Sequence, residues 1–275
     1  MRLIHQRIQW PVGHGFFHTA KIKNSNFDLN YVYDCGGDDL ITIEKSIDDY
    51  CKDFAAKKID LFVISHFHRD HINGIPHLLN SIDVDKIVTP FLNDEEKIIS
   101  LIELCEAGLQ EYEFLAPIIV DFQKWLSLNG REDIKLITIS GEAGSNEEAV
   151  DIDISNIISG RIDHNRNLVF RYHGDDIWLF KFYVENNSSR RSNFIIELQK
   201  EFSFSNLNDF LENFNDSNWI RVNFSRLEKG EFTPLNIIFL SVQAVSYQTV
   251  NKPYWWQYDH AQFASHNLAE SGKAQ

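Results

Sequence analysis

Between residues 65 and 71 the chain reads Ser-His-Phe-His-Arg-Asp-His, and four of these side chains, those of His66, His68, Asp70 and His71, are metal ligands by type. A single histidine in a turn is usually hydrogen-bonded or solvated. Three imidazoles and a carboxylate within six positions differ from that, because neutral imidazole suits zinc and a carboxylate widens the choice to manganese or iron. Arg69, in their midst, reads as a solvent-facing charge and not as a ligand.

An apolar run, Ile59-Asp60-Leu61-Phe62-Val63-Ile64, leads into the motif and reads as a buried strand from its β-branched and aromatic content. On an extended backbone side chains two apart point the same way, so His66 and His68 aim at one point from one face. Beyond them Asn73 is placed to cap a helix whose apolar positions Ile75, Leu78, Leu79 and Ile82 recur at helical spacing, with Pro76 tolerated in its first turn. Asp70 and His71 therefore occupy a strand-to-helix turn, where an α/β sheet usually places its chemistry.

The pattern His-x-His-x-Asp-His after a hydrophobic strand resembles the signature of the metallo-β-lactamase superfamily, complete here as His66, His68, Asp70 and His71. The resemblance implies an α/β fold of the αββα sandwich type. In it His66 and His68, with a third histidine from further along, hold one zinc ion, and Asp70 and His71 help to hold a second. A metal pair can deprotonate a bridging water near neutral pH and polarise the bond it attacks. Asp70 is then also the catalytic candidate, since a metal-bound carboxylate can orient the nucleophilic water. The preceding order is similar too: Gly13-His14-Gly15 matches a Gly-x-Gly hairpin, and Asp34-Cys35-Gly36 a strand ending in Asp-x-Gly. On that resemblance Asp34 orients a ligand histidine through its ring N–H; the alternative is an ordinary turn aspartate. His14 and His18, near the same edge without a spacing pattern, read as structural.

A chain of 275 residues can bury a sizeable core, and we read it as one domain: an N-terminal half to residue 95, a helical insertion over 94–130 and a divergent or truncated second half over 131–275. The formal net charge of -14 weakens a nucleic-acid reading, although bound metals would locally invert the sign. No apolar signal region follows Met1 and no run is long enough to span a bilayer, so cytoplasmic residence without a membrane partner is expected. Cys35, Cys51 and Cys105, odd in number and far apart, fit reduced core thiols.

In chain order, strands are expected over Leu3 to Trp10, Thr19 to Lys23 and Phe27 to Tyr33, a helix over Ile41 to Ala56, and a strand over Asp85 to Pro90. Two helices follow between Asp94 and Gly130, with Pro117 separating them or starting the second, as an insertion or a lid. Ile134 to Ser140 reads as a strand, Gly141 to Asp153 as a mobile acidic loop, and Asn167 to Tyr183 as a β-hairpin around His173-Gly174-Asp175. Asn206 to Phe214 suggests a short helix, Trp219 to Phe224 a strand, and Leu235 to Val245 an apolar run. The remaining metal ligands stay open among His164, His173, Asp175, His260 and His266, with plain hairpin chemistry the stronger reading of His173 and Asp175. Tyr254-Trp255-Trp256-Gln257-Tyr258 could stack a base or sugar, or pack as core or interface. The polar end, Ser271 to Gln275, has no evident closing strand before it, so the second half is truncated, divergent or completed by residues without a motif.

Three functions are compatible with these features. The first is a metal-dependent hydrolase of a phosphodiester, nucleic acid included. The Asn73-Gly74 after the motif leans toward the nuclease and phosphodiesterase branches, and a bacterial phage-defence (antiviral) branch is a narrower expectation. The second is an interaction module with a protein partner that keeps half a metal site and has lost turnover. The third is a thioesterase of the glyoxalase type.

Overall fold

The computed structural model describes residues 2–53, 58–106, 109–141, 151–184 and 262–267, with parts of 195–219. The chain divides into two compact units, one of Met1–Phe91, Leu126–Asn186 and Asp259–Gln275, the other of Leu92–Trp125 and Asn187–Tyr258.

In the first unit the apolar runs become a seven-stranded, mostly parallel sheet. Its strands are β1 (Ile4–Gln9), β2 (Phe17–Lys23), β3 (Asp28–Cys35), β5 (Leu61–Val63), β7 (Lys86–Pro90), β8 (Lys135–Ser140) and β10 (Gly160–Asp163), side by side in that order. The first three are antiparallel and the rest parallel, so the carboxyl ends of β3, β5, β7, β8 and β10 share one edge. A second sheet holds β9 (Ile152–Asp153), β11 (Leu168–Tyr172), β12 (Asp175–Tyr183) and β13 (Gln262–Asn267).

Strand alternation decides what each face meets. Leu29, Tyr31, Leu61, Val63, Val88, Ile137 and Ile139 of the large sheet share one core with Leu168, Trp178 and Phe180 of the small one. Phe62 and Val32 lie between them in sequence and are fully buried on the opposite face. That side carries α1 (Leu40–Asp53), whose Ile43, Ile47 and Tyr50 recur at helical spacing and are buried. The Tyr50 ring meets Trp10 and Phe17 edge-on, at centroid distances of 6.3 and 6.0 Å. Asp39 starts this helix by accepting from Thr42 N at 2.8 Å.

Several expectations need correction. The run from Ile59 to Ile64 is two strands: Asp60 exchanges bonds with the Asn30 backbone, and β4 (Lys58–Ile59) leaves to pair with β6 (Asp83–Val84). The insertion holds three helices, α4 (Asp94–Glu106), α5 (Leu109–Val120) and α6 (Phe122–Leu128), and Pro117 lies inside the second. The break falls at Asp121, whose carboxylate takes Lys124 N at 2.9 Å and so starts α6. A late strand does exist: β13 pairs with β12, Trp178 opposite Asn267. The short helix expected near Asn206 is α7 (Leu207–Glu212), capped by Asn206 onto Asp209 N. The acidic loop over 142–150, the strand over 220–224, the run over 235–245 and the aromatic stretch over 254–258 lie outside the described residues. Among the described residues no helix is long and apolar enough to cross a membrane.

Candidate metal centre

The motif leaves β5 at the edge where the parallel strands end. Ile64 N still donates to Val88 O at 2.8 Å, after which Asp34, near the end of β3, captures the chain by accepting from Ser65 N at 2.6 Å. One short helix turn, α2 (Arg69–Ile72), and then α3 (Ile75–Ser81) carry the chain away.

The turn is fastened by two loops. Asn73 does not cap α3; its amide pairs with the backbone of Gly37, accepting from Gly37 N at 3.0 Å and donating to Gly37 O at 2.8 Å. An amide can satisfy both backbone groups at once, and at 3% exposure water does not compete for it. Gly74 N donates to Cys35 O, Phe16 N to Asp70 O and Gly36 N to Phe16 O. A Cβ on Gly15 or Gly36 would run into the Asp70 carbonyl oxygen, which is why the Gly13-His14-Gly15 and Gly36-Gly37 loops can come this close. Arg69 is not simply solvent-facing either: its guanidinium donates to Asp38 O at 2.6 Å.

The imidazoles meet above this frame. His66 and His68 have ring centroids 4.5 Å apart at 83°, and His66 and His71 4.0 Å apart at 48°. His71 Nε2 lies 3.8 Å from Asp70 Oδ2. Beneath them is Asp34, 1% exposed and with a left-handed backbone at φ 54°. Its Oδ2 accepts from Ser65 Oγ at 2.6 Å and from His71 Nδ1 at 2.8 Å. Burial and the Asp34 charge push the neighbouring Tyr33 phenol well above its ordinary range.

Proton counting fixes two tautomers. A hydroxyl has one hydrogen, and Ser65 gives it to Asp34, so in its 2.8 Å contact with His66 the Nδ1 must be the donor. His71 Nδ1 likewise faces a carboxylate and carries a hydrogen. In the neutral rings of both His66 and His71 the lone pair is therefore on Nε2. The sequence reading missed Ser65 as a member of the site, although its place directly before His66 was the available signal.

The other candidates are scattered. His164 follows β10 at the carboxyl edge of the sheet, its N–H on Ser140 O at 2.9 Å. His173, with φ 52°, and Gly174, with φ 87°, are the two central residues of the hairpin whose flanks are Tyr172 and Asp175. His173 and Asp175 are exposed there, as turn chemistry requires. His266 is in β13 opposite Leu179, and His260 lies outside the described residues. His14 is exposed on its loop, while His18 pairs across β2 and β3 with Tyr33.

Among the described residues no group of three or more His, Cys, Asp or Glu side chains is placed so that it could hold a metal ion. The donor chemistry nevertheless fits zinc: three adjoining imidazoles, two of them with Nδ1 tied to a hydrogen-bond acceptor, beside a partly exposed carboxylate. Compared with known proteins, the chain matches no protein-family model and no characterised relative by sequence.

Proposed function

We propose that this chain is a metal-dependent hydrolase of the metallo-β-lactamase kind, acting on a phosphodiester. The observation that carries the reading is a pair of contacts: Ser65 Oγ lies 2.8 Å from Nδ1 of His66 and Asp34 Oδ2 lies 2.8 Å from Nδ1 of His71, which would leave their Nε2 atoms as ligands beside His68 and Asp70. His66 and His68 would hold one zinc ion, and Asp70 and His71 would help to hold a second. Bound zinc supplies an acidified water and polarises the bond under attack. Asp34 and Ser65 orient the imidazoles and raise their basicity. Asp70, its side chain 28% exposed, would orient the attacking water. The packing of a helix-covered sheet on a second sheet supports an αββα sandwich, and the meeting of β3, β5 and the two glycine loops at one edge supports the family.

Metal content by elemental analysis, with turnover of bis(4-nitrophenyl) phosphate before and after His68→Ala, tests this. The expected result is bound zinc in the wild type and a fall in turnover of roughly a hundredfold or more in the variant. Full metal occupancy without His68-dependent hydrolysis of phosphodiester, thioester or lactam substrates would overturn it in favour of a metal-holding interaction module. Selective turnover of thioesters would favour the glyoxalase type.

A further inference from the structure

One face of β1 and β2 gathers Arg7, His5 and His18. Leu3, His5 and Arg7 alternate onto the side of the large sheet that meets the small one: Leu3 packs on the shared core, and the His5 ring meets that of Trp178 edge-on at 4.6 Å. On β2, His18 shares its face with Ala20 and Ile22, both inside that core. The antiparallel register sets Arg7 opposite Ala20, His18 opposite Gln9 and His5 opposite Ile22. Arg7 therefore has His5 two residues before it on its own strand and His18 on the cross-strand diagonal, about 7–8 Å away backbone to backbone. Ala20, opposite Tyr31 as well, fills little of the space between them. Both imidazoles close on the Tyr31 ring, at centroid distances of 6.0 Å for His5 and 6.3 Å for His18, and His5 Nε2 lies 3.0 Å from the Tyr31 hydroxyl.

Among the described residues no carboxylate pairs with Arg7, His5 or His18, whereas Lys21 of the same sheet is held by Asp28 at 3.1 Å. Arg7 is exposed and open to a ligand from solvent, with the two half-buried imidazoles beside it. Burial first, and then the Arg7 charge, hold both imidazoles below their ordinary range. An anion placed among the three offsets that repulsion and favours the protonated rings. A tetrahedral oxyanion suits them, since a guanidinium can grip two of its oxygens and an imidazolium a third. In a chain of formal net charge -14, a cationic group without an acidic neighbour opposes the general field and draws anions to it.

We propose that Arg7, with His5 and His18 beside it on the face of β1 and β2, binds a phosphate dianion. Neither a bound metal nor turnover is needed for it.

Calorimetric titration of inorganic phosphate and of phenyl phosphate into the full chain and its Arg7→Ala, Arg7→Lys and His18→Gln variants tests this. Phosphate affinity should fall about ten- to a hundredfold in Arg7→Ala and less in Arg7→Lys, which keeps the charge and guards against a misfolded alanine variant. It should fall severalfold in His18→Gln. Similar affinity for the two probes supports a terminal phosphate group as the ligand, and binding of inorganic phosphate alone supports the free ion. The other titratable groups that face the imidazoles are Arg7 on β1 and the phenols of Tyr31 and Tyr33 on β3, while the small sheet sets Trp178 against His5. Sulfate, whose own charge is constant from pH 5 to 8, should bind more tightly at the acid end in the wild type and show a smaller difference in His18→Gln. Equal phosphate affinity in wild type and Arg7→Ala, or no phosphate binding by the wild type, overturns the proposal. So does binding that survives Arg7→Ala and is lost in His68→Ala, because that phosphate belongs to the metal turn.

Discussion

The carboxylate of Asp34 lies 2.8 Å from Nδ1 of His71, and the same oxygen takes the Ser65 hydroxyl at 2.6 Å. One buried side chain on β3 thus orients the last histidine of the motif directly and the first one through Ser65. Asp34→Asn should keep the fold, because asparagine tolerates the left-handed backbone that Asp34 adopts at φ 54°. It should lower zinc affinity by about ten- to a hundredfold, as loss of a ligand-orienting partner does. Competition against a chromogenic chelator measures this; unchanged affinity would make Asp34 a turn residue only.

Gly36 makes a second, purely steric prediction. Its Cβ would meet Asp70 O, Asp70 C and His71 N, all backbone atoms that cannot swing away. Gly36→Ala should cost about 1–3 kcal/mol or more in chemical denaturation, as overpacking does. Gly130→Ala meets nothing within 4 Å and bears only the strain of φ +68°, about 1 kcal/mol.

Asn73→Ala should cost about 1–3 kcal/mol in the same measurement, since it strands Gly37 N and Gly37 O in a buried place. Asn73→Asp keeps an acceptor for Gly37 N but sets a second oxygen against Gly37 O, and should be no better.

The motif, the apolar run before it and the glycine loops were all visible in the sequence, because each is a local pattern: a spacing of two, a run of apolar residues, a pair of glycines; the split of that run at Asp60 was not. Asn73 was misread for the same reason. A polar residue before an apolar helix looks like a cap, and only the approach of Gly37, 36 residues earlier, reveals its pairing. β13 escaped notice because Gln-Phe-Ala-Ser-His-Asn is a polar, weakly alternating segment that depends on β12 for its ladder.

A pH effect arises outside the site. Burial first, then Arg7 and His18, hold the His5 imidazole down at about 4, below its ordinary 6.5, and burial and Arg7 lower His18 as well. In the unfolded chain these groups take up protons near 6.5, before the folded chain does, so the unfolded state binds more protons in that window. Their contribution to stability is complete above 6.5 and is lost as pH falls toward 4. Urea denaturation from pH 7 to 4 should show this decline, and His5→Gln, which can still reach the Tyr31 hydroxyl that His5 Nε2 contacts at 3.0 Å, should flatten it. Equal slopes in the two proteins would rule out His5 as a source.

Crystals of the full chain grown with zinc, measured at the zinc absorption edge, give the most direct test of the metal centre. One or two anomalous peaks are expected within bonding distance of His66, His68, Asp70 and His71, together with whichever remote side chain completes the set. Peaks located elsewhere, or none at this turn under saturating zinc, would contradict it.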